Sequence, residues 1–127
     1  MLLGFLKNKM RGKIIKGIGK GKDLGYPTVN IDIPVDFKYE FGVYSANVFV
    51  GDEKYLGALF YGTRGIFGIE KPSLEIYLID FEGEIGDYEI DFEIGNKVRD
   101  VRKFDSIEEL KKAISDDVEI IKNNKNE

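Results

Sequence analysis

Residues 42–62 read GVYSANVFVGDEKYLGALFYG, and this stretch decides the fold class. It contains two apolar segments, Gly42–Val50 and Lys54–Gly62, separated by Gly51-Asp52-Glu53. Turn-forming residues between two such segments are typical of a β-hairpin. Because valine, tyrosine and phenylalanine pack well on a pleated surface, we expect both segments to be strands.

Further strands are predicted on both sides of this hairpin, at Gly12–Gly17, Thr28–Ile33, Ser73–Phe81 and Tyr88–Gly95. Ser73–Phe81 is apolar on both faces, whereas the second and fourth segments alternate between apolar and polar residues, as half-buried strands do. One face of the second segment is expected to carry Val29, Ile31 and Ile33, and the residues of the last segment expected to face inward are Tyr88, Ile90, Phe92 and Ile94.

A helix is predicted at about residues 106–122. Ser106-Ile107-Glu108-Glu109 has the spacing of a capping box, in which Ser106 and Glu109 bond free amides of the first turn. Apolar residues follow at helical spacing, namely Ile107, Leu110, Ala113, Ile114, Val118 and Ile121. Six strands and one amphipathic helix predict a mainly all-β fold, an antiparallel barrel with the helix packed on it.

The composition restricts the chemistry of any site. The chain has 127 residues, enough for one domain, and contains neither cysteine nor histidine. Thiol nucleophiles, disulfides, thiolate metal sites and histidine bases are therefore excluded. Acid–base chemistry must use Asp, Glu, Lys or Tyr, and a metal should be a hard cation on oxygen ligands.

Charge is distributed unevenly along the chain. Residues 1–22 contain seven basic side chains and no acidic one, although the whole chain carries a net charge of −4. This asymmetry indicates either a local anion site or a solvated basic tail, rather than a nucleic-acid-binding surface. Met1–Leu6 is apolar but too short for a signal or membrane segment. We expect a cytoplasmic monomer without nucleic-acid or membrane partners.

Two segments near the amino terminus contain candidate binding groups. Glycines in residues 17–25 would let the backbone approach an anion, and lysines nearby would add positive charge. The alternative is that these glycines only form a turn between two strands. The spacing is not that of a Walker A loop. Thr28 and Asn30 share one strand face, where their oxygens either help to hold Mg²⁺ or line a solvated surface.

Two later segments complete the candidate site. Glu75 lies in an otherwise apolar strand, so we expect a partly desolvated carboxylate that acts as general base or pairs with a lysine. Residues 96–105 are predicted to be a loop rich in cations. Its Phe104 either borders a flat anionic ligand or plugs the helix against the barrel.

Together these segments resemble the riboflavin kinase family over roughly residues 11–122. The opening motif is Arg11 to Gly17, Gly19-Lys20-Gly21 and Leu24 to Asn30, ending in Pro27-Thr28-Val29-Asn30 where the family has Pro-Thr-Ala-Asn. Gly42-Val43-Tyr44, the strand 74–81 and the loop 99–106 are similar to later family segments.

The resemblance implies a six-stranded Greek-key barrel that transfers the γ-phosphate of Mg-ATP to the 5′-hydroxyl of riboflavin, giving FMN and ADP. It implies Glu75 as catalytic base and Thr28 and Asn30 beside Mg²⁺. The candidate ATP and phosphate residues are Gly17, Gly19, Lys20, Gly21, Lys22, Leu78 and Asp80. The candidate flavin residues are Arg99, Arg102 and Phe104.

The chain departs from the family pattern at four places that concern the pockets. They are Phe60-Tyr61-Gly62 in place of Asn-Ile-Gly, Gly65-Ile66 in place of Pro-Thr, Gly86 in place of an aromatic residue, and Val101 in place of an acid. We expect residues 1–10 to be an extension and residues 11–127 to be the kinase domain, without FAD synthesis. The alternative is a flavin- or nucleotide-binding barrel that has lost turnover.

Overall fold

A computed structural model describes residues 9–16 and 25–124. Within these ranges, the β-strands are β1 (Lys9–Ile15), β2 (Thr28–Ile31), β3 (Gly42–Val50), β4 (Glu53–Gly62), β5 (Ser73–Leu78) and β6 (Glu89–Arg99). A short 3-10 turn, Gly65–Phe67, lies between β4 and β5, and the helix α1 (Ile107–Asn123) follows β6.

The six strands form a closed barrel in the order β1-β2-β5-β4-β3-β6, and every neighbouring pair is antiparallel. The predicted hairpin is the β3–β4 pair, whose register runs from Gly42 opposite Tyr61 to Val50 opposite Glu53. Two connections, β2 to β3 and β5 to β6, join strands that are not neighbours, which gives the Greek-key order. The predicted mainly all-β barrel is confirmed.

Alternate residues of the strands fill the barrel interior, as the period of two requires. Val48, Leu59, Ile76 and Phe92 are all fully buried in this core. Removing each such side chain from water contributes about 1.5–3 kcal/mol. The other face of each strand is therefore free to carry polar groups.

Helix α1 begins after Ser106, whose hydroxyl accepts a hydrogen bond from the Glu109 amide over 3.1 Å. The Glu109 carboxylate accepts one from the amide of Asp105, rather than from Ser106 as the capping-box pattern predicts. Leu110, Ala113, Asp117 and Ile121 form the buried stripe of the helix, which contacts β4 and β6. No helix in residues 9–16 and 25–124 is both long and apolar enough to cross a membrane.

The bounds of β6 differ from the prediction at both ends. Tyr88 precedes the strand and is 88% exposed, so its predicted inward position was wrong. Its backbone carbonyl nevertheless accepts a hydrogen bond from the amide of Ile14 on β1. At the other end the strand continues past Gly95 to Arg99. The register against β3 shifts between Tyr44 and Ala46, and this irregularity interrupts the alternation that marks a strand in the sequence.

Four other strands also differ from their predicted bounds. Strand β4 begins at Glu53 rather than Lys54, because Glu53 pairs with Val50 instead of lying in the turn. Strand β1 covers Lys9–Ile15 rather than Gly12–Gly17, and β2 ends at Ile31 rather than Ile33. Strand β5 ends at Leu78 rather than Phe81 because the chain turns at Asp80, which has a left-handed backbone with φ of 60°.

Candidate active site

Thr28, Asn30 and Glu75 lie together on the outer face of the barrel. Asn30 on β2 is directly opposite Glu75 on β5, and Thr28 is opposite Tyr77 two residues further along. Residues two apart in a strand share a face, so these side chains project from the same side of the sheet. Alternation along the strand predicted the shared face of Thr28 and Asn30, and the pairing of β2 with β5 brings Glu75 to that face.

Glu75 is buried although it lies outside the barrel core. Its carboxylate accepts hydrogen bonds from the Thr28 hydroxyl at 3.3 Å and from the Ser73 hydroxyl at 2.6 Å. Both oxygens also contact the Arg64 guanidinium, at 3.4 and 3.5 Å. These donors offset the cost of removing a carboxylate from water. The expected desolvated carboxylate is present, and its cationic partner is an arginine rather than a lysine.

Arg64 is a site residue that the sequence did not reveal. Its guanidinium carbon lies 3.6 Å from the centre of the Phe60 ring, and Phe60 is opposite Glu75 on the neighbouring strand β4. The only available signal was indirect: a buried acid needs a cation, and residues 63–72, between two predicted strands, contain Arg64 and Lys71. Ser73, two residues before Glu75, was also missed.

A cleft of about 790 Å³, called here the loop cleft, opens beside this group. It is lined by residues 63–66 and 99–105, with Phe41, Phe60 and Leu110 completing the wall. The candidate flavin residues Arg99, Arg102 and Phe104 all lie on this wall. The Arg102 guanidinium is 5.3 Å from the centre of the Phe104 ring, within the range of cation–π attraction.

Arg99 also has a structural partner. Its guanidinium donates two hydrogen bonds to the carboxylate of Asp117, each of 2.8 Å, and so links the end of β6 to helix α1. Asp117 is 4% exposed, an acid at a core position of the helix. This pair anchors one wall of the loop cleft.

The candidate nucleotide residues are only partly within the described chain. Gly17, Gly19, Lys20, Gly21 and Lys22 lie outside the described residues. The side chain of Leu78 belongs to the barrel core, and Asp80 lies in the exposed turn after β5, 3.8 Å from the Lys122 ammonium. Tyr77 lies opposite Thr28 and packs edge-on against Tyr26. Burial raises the pKa of the Tyr77 phenol, which therefore stays neutral.

Thr28 and Asn30 offer donors that suit a hard cation. The Thr28 hydroxyl gives its proton to Glu75, so the lone pairs of its oxygen remain available to a metal ion. The Asn30 side chain supplies an amide oxygen on the same face. Magnesium binds such oxygens and takes its other ligands from phosphates and water. The donor set therefore fits Mg²⁺ bound together with a nucleotide.

Residues 6–125 match the family described as Flavokinase: Riboflavin kinase. The chain belongs to the riboflavin kinase family. This membership confirms the resemblance on which the sequence interpretation rested. The match extends through the strands of Thr28 and Glu75 and through both loops of the cleft.

Several members of the riboflavin kinase family are similar to this chain. The RNA-binding riboflavin kinase RibR of Bacillus subtilis is 36% identical over 87% of the chain and 48% of its own length. The bifunctional riboflavin kinase/FMN adenylyltransferase of the same organism is 32% identical over 85% of the chain and 35% of its own length. The chain thus spans less than half of these relatives.

Among solved structures, the chain is similar to one titled a macrolide-efflux protein from Streptococcus pneumoniae. The TM-score is 0.78 with 28% identity, and the alignment covers 91% of this chain and 38% of that one. A fold similar to that of this chain therefore also occurs as part of a larger polypeptide.

Proposed function

We propose that this protein is an ATP-dependent riboflavin kinase. The observation that carries the proposal is the grouping of Thr28, Asn30 and Glu75 on one barrel face beside the loop cleft, in a chain of this family. The substrates are riboflavin and Mg-ATP, and the products are FMN and ADP.

In the proposed reaction the riboflavin ring lies in the loop cleft against Phe104, with Arg99 and Arg102 at its border. The ribityl chain extends past Arg64 toward Glu75. The Glu75 carboxylate accepts the proton of the 5′-hydroxyl as that oxygen bonds to the γ-phosphorus. The bond from the γ-phosphorus to the bridging oxygen breaks, and ADP leaves.

The protein's contribution to such a transfer is positioning and charge, because the chemistry needs little covalent help. Thr28 and Asn30 would hold the Mg²⁺ that neutralises phosphate charge when the nucleotide is bound. The candidate nucleotide residues remain Gly17, Gly19, Lys20, Gly21, Lys22, Leu78 and Asp80; for Leu78 the contribution would come from its backbone, since its side chain is in the core.

The test is direct: purified protein is incubated with riboflavin and Mg-ATP, and FMN is measured by chromatography. We expect FMN and ADP in equal amounts, and none when ATP or Mg²⁺ is left out. Absence of FMN under conditions where the protein is folded would contradict the proposal.

A binding protein without turnover is the second candidate. The observation that favours it is that both oxygens of Glu75 already accept contacts from Arg64 and the neighbouring hydroxyls. Such a protein would bind riboflavin yet release no ADP. Steady ADP release that depends on riboflavin distinguishes the two candidates.

Nucleic-acid binding is stated in the name of the RibR relative, of which this chain spans 48%. For this chain we retain the prediction that nucleic acid is not a partner, because its net charge is −4 and phosphate backbones bind positive surfaces. A gel-shift measurement with single-stranded RNA at low salt checks it.

A further inference from the structure

The Glu75 carboxylate is held from three directions. Ser73 donates from two residues away on the same strand, Thr28 donates from the neighbouring strand, and Arg64 approaches from the loop after β4. Arg64 differs from the other two because it carries charge and contacts both carboxylate oxygens. Two contacts from a planar guanidinium fix the rotation of a carboxylate, which a single hydroxyl cannot do.

Arg64 is itself fixed on both its side chain and its backbone. The guanidinium stacks over the ring of Phe60, which is 7% exposed. The Arg64 carbonyl accepts hydrogen bonds from the amides of Phe67 and Ile69, at 3.0 and 3.3 Å, and so closes the 3-10 turn. The side chain of Arg64 is 14% exposed. A guanidinium held in this way has lost its rotational freedom before any ligand binds.

The position of Arg64 links two parts of the site. On one side it contacts Glu75, and on the other it lines the loop cleft together with Arg99, Arg102 and Phe104. A molecule in the cleft and the carboxylate that would take its proton therefore meet the same side chain.

We infer that Arg64 is a positioning residue: it sets the orientation of the Glu75 carboxylate toward the occupant of the loop cleft, and Phe60 supports it. This inference rests on the proposed kinase function. Its effect belongs to the chemical step, because the orientation of the base matters only once the substrate hydroxyl is in place. Misplacing a reacting group by about 1 Å costs on the order of 10²-fold in rate.

The experiment compares Arg64→Ala, Arg64→Lys and Arg11→Ala with the unchanged protein. Arg11 is the matched control: it is an arginine in an exposed ion pair with Asp91, on the outer face of β1, outside the proposed site.

For Arg64→Ala we expect kcat to fall about 10²-fold while KM for riboflavin and for ATP changes little. Arg64→Lys keeps the charge without the planar fork and should recover part of the rate. Millimolar guanidinium added to Arg64→Ala should also recover part of it, and Arg11→Ala should match the unchanged protein.

Each contrary result has a definite meaning. An unchanged kcat in Arg64→Ala overturns the inference and leaves the proposed function intact. A rise in KM for riboflavin with kcat preserved also overturns it, since Arg64 would then only bind substrate. If Arg64→Ala does not fold, Arg64→Lys decides: full activity in the folded lysine variant overturns the inference. An inactive unchanged protein overturns the proposed function and this inference with it.

Discussion

At the scale of single residues, the carboxylate of Glu75 is the group on which the proposed chemistry depends. Its position beside Thr28 and Asn30 was predicted from the family resemblance, and the structure brings these three together; alternation along a strand predicted only that Thr28 and Asn30 share a face. The contact of Glu75 with Arg64 was not predictable, since that contact depends on the path of a loop that turns back through Gly65–Phe67. Local patterns give the face of a strand, whereas the end point of an irregular loop depends on the whole fold.

We predict that Glu75→Gln lowers kcat about 10²–10⁴-fold, the range typical of a lost general base. Riboflavin affinity should be retained because glutamine has nearly the same size. Single-turnover FMN formation and a riboflavin fluorescence titration measure the two quantities. Glu93→Gln is the matched control, because Glu93 is also hydrogen-bonded on a strand, to Asn47, but lies on β6 outside the site. Equal turnover in Glu75→Gln and the unchanged protein would remove Glu75 from the base role.

At the scale of elements, the attachment of helix α1 to the barrel shows where the sequence pattern was informative. Apolar spacing predicted the helix and most of its buried stripe, and Ser106 marked its start. Asp117 at a buried position was missed, because a helical pattern assigns acids to the solvent side. Its partner Arg99 was predicted only as a flavin residue. Arg99 lies in the part of β6 past Gly95, which was not predicted to be strand because the register against β3 shifts there.

Asp117→Asn should therefore be strongly destabilising. The change leaves the Arg99 guanidinium, whose side chain is 17% exposed, without its counter-charge, and breaking a buried pair costs about 3 kcal/mol. Asp116→Asn is the matched control one residue away: its pair with Lys112 is exposed and should be worth less than about 0.5 kcal/mol. Urea unfolding gives both free energies. A similar small loss in both variants would show that the Arg99–Asp117 pair does not hold the helix to the barrel.

At the scale of the whole molecule, the closure of the barrel depends on β1, which joins β2 on one side and β6 on the other. Hydrophobic alternation predicted that strands exist, but it does not specify which strands are neighbours; the Greek-key order came from the family resemblance. The β1–β2 contact is short, with Ile14 opposite Ile31 and Ile15 opposite Asn30. Strand β2, which bears Thr28 and Asn30, pairs with β1 on one side and with the Glu75 strand β5 on the other.

A substitution of Gly12, in the middle of β1, tests this closure. Gly12 is buried, and an added Cβ would overlap the Cγ2 methyl of Ile31 and lie 3.4 Å from the ring of Phe92. Both neighbours are buried core side chains, 1% and 0% exposed, so Gly12→Ala should overpack the core and lower the free energy of unfolding by about 1–3 kcal/mol. Gly86→Ala is the control, since nothing lies within 4 Å of its added Cβ, and it should change stability by less than about 0.5 kcal/mol. Because the misfit lies at the seam next to β2, Gly12→Ala should also lower FMN formation at temperatures where most of the protein is still folded. Equal stability of the two alanine variants in urea would mean that β1 is not packed against Ile31 and Phe92, and that the barrel is open at this edge.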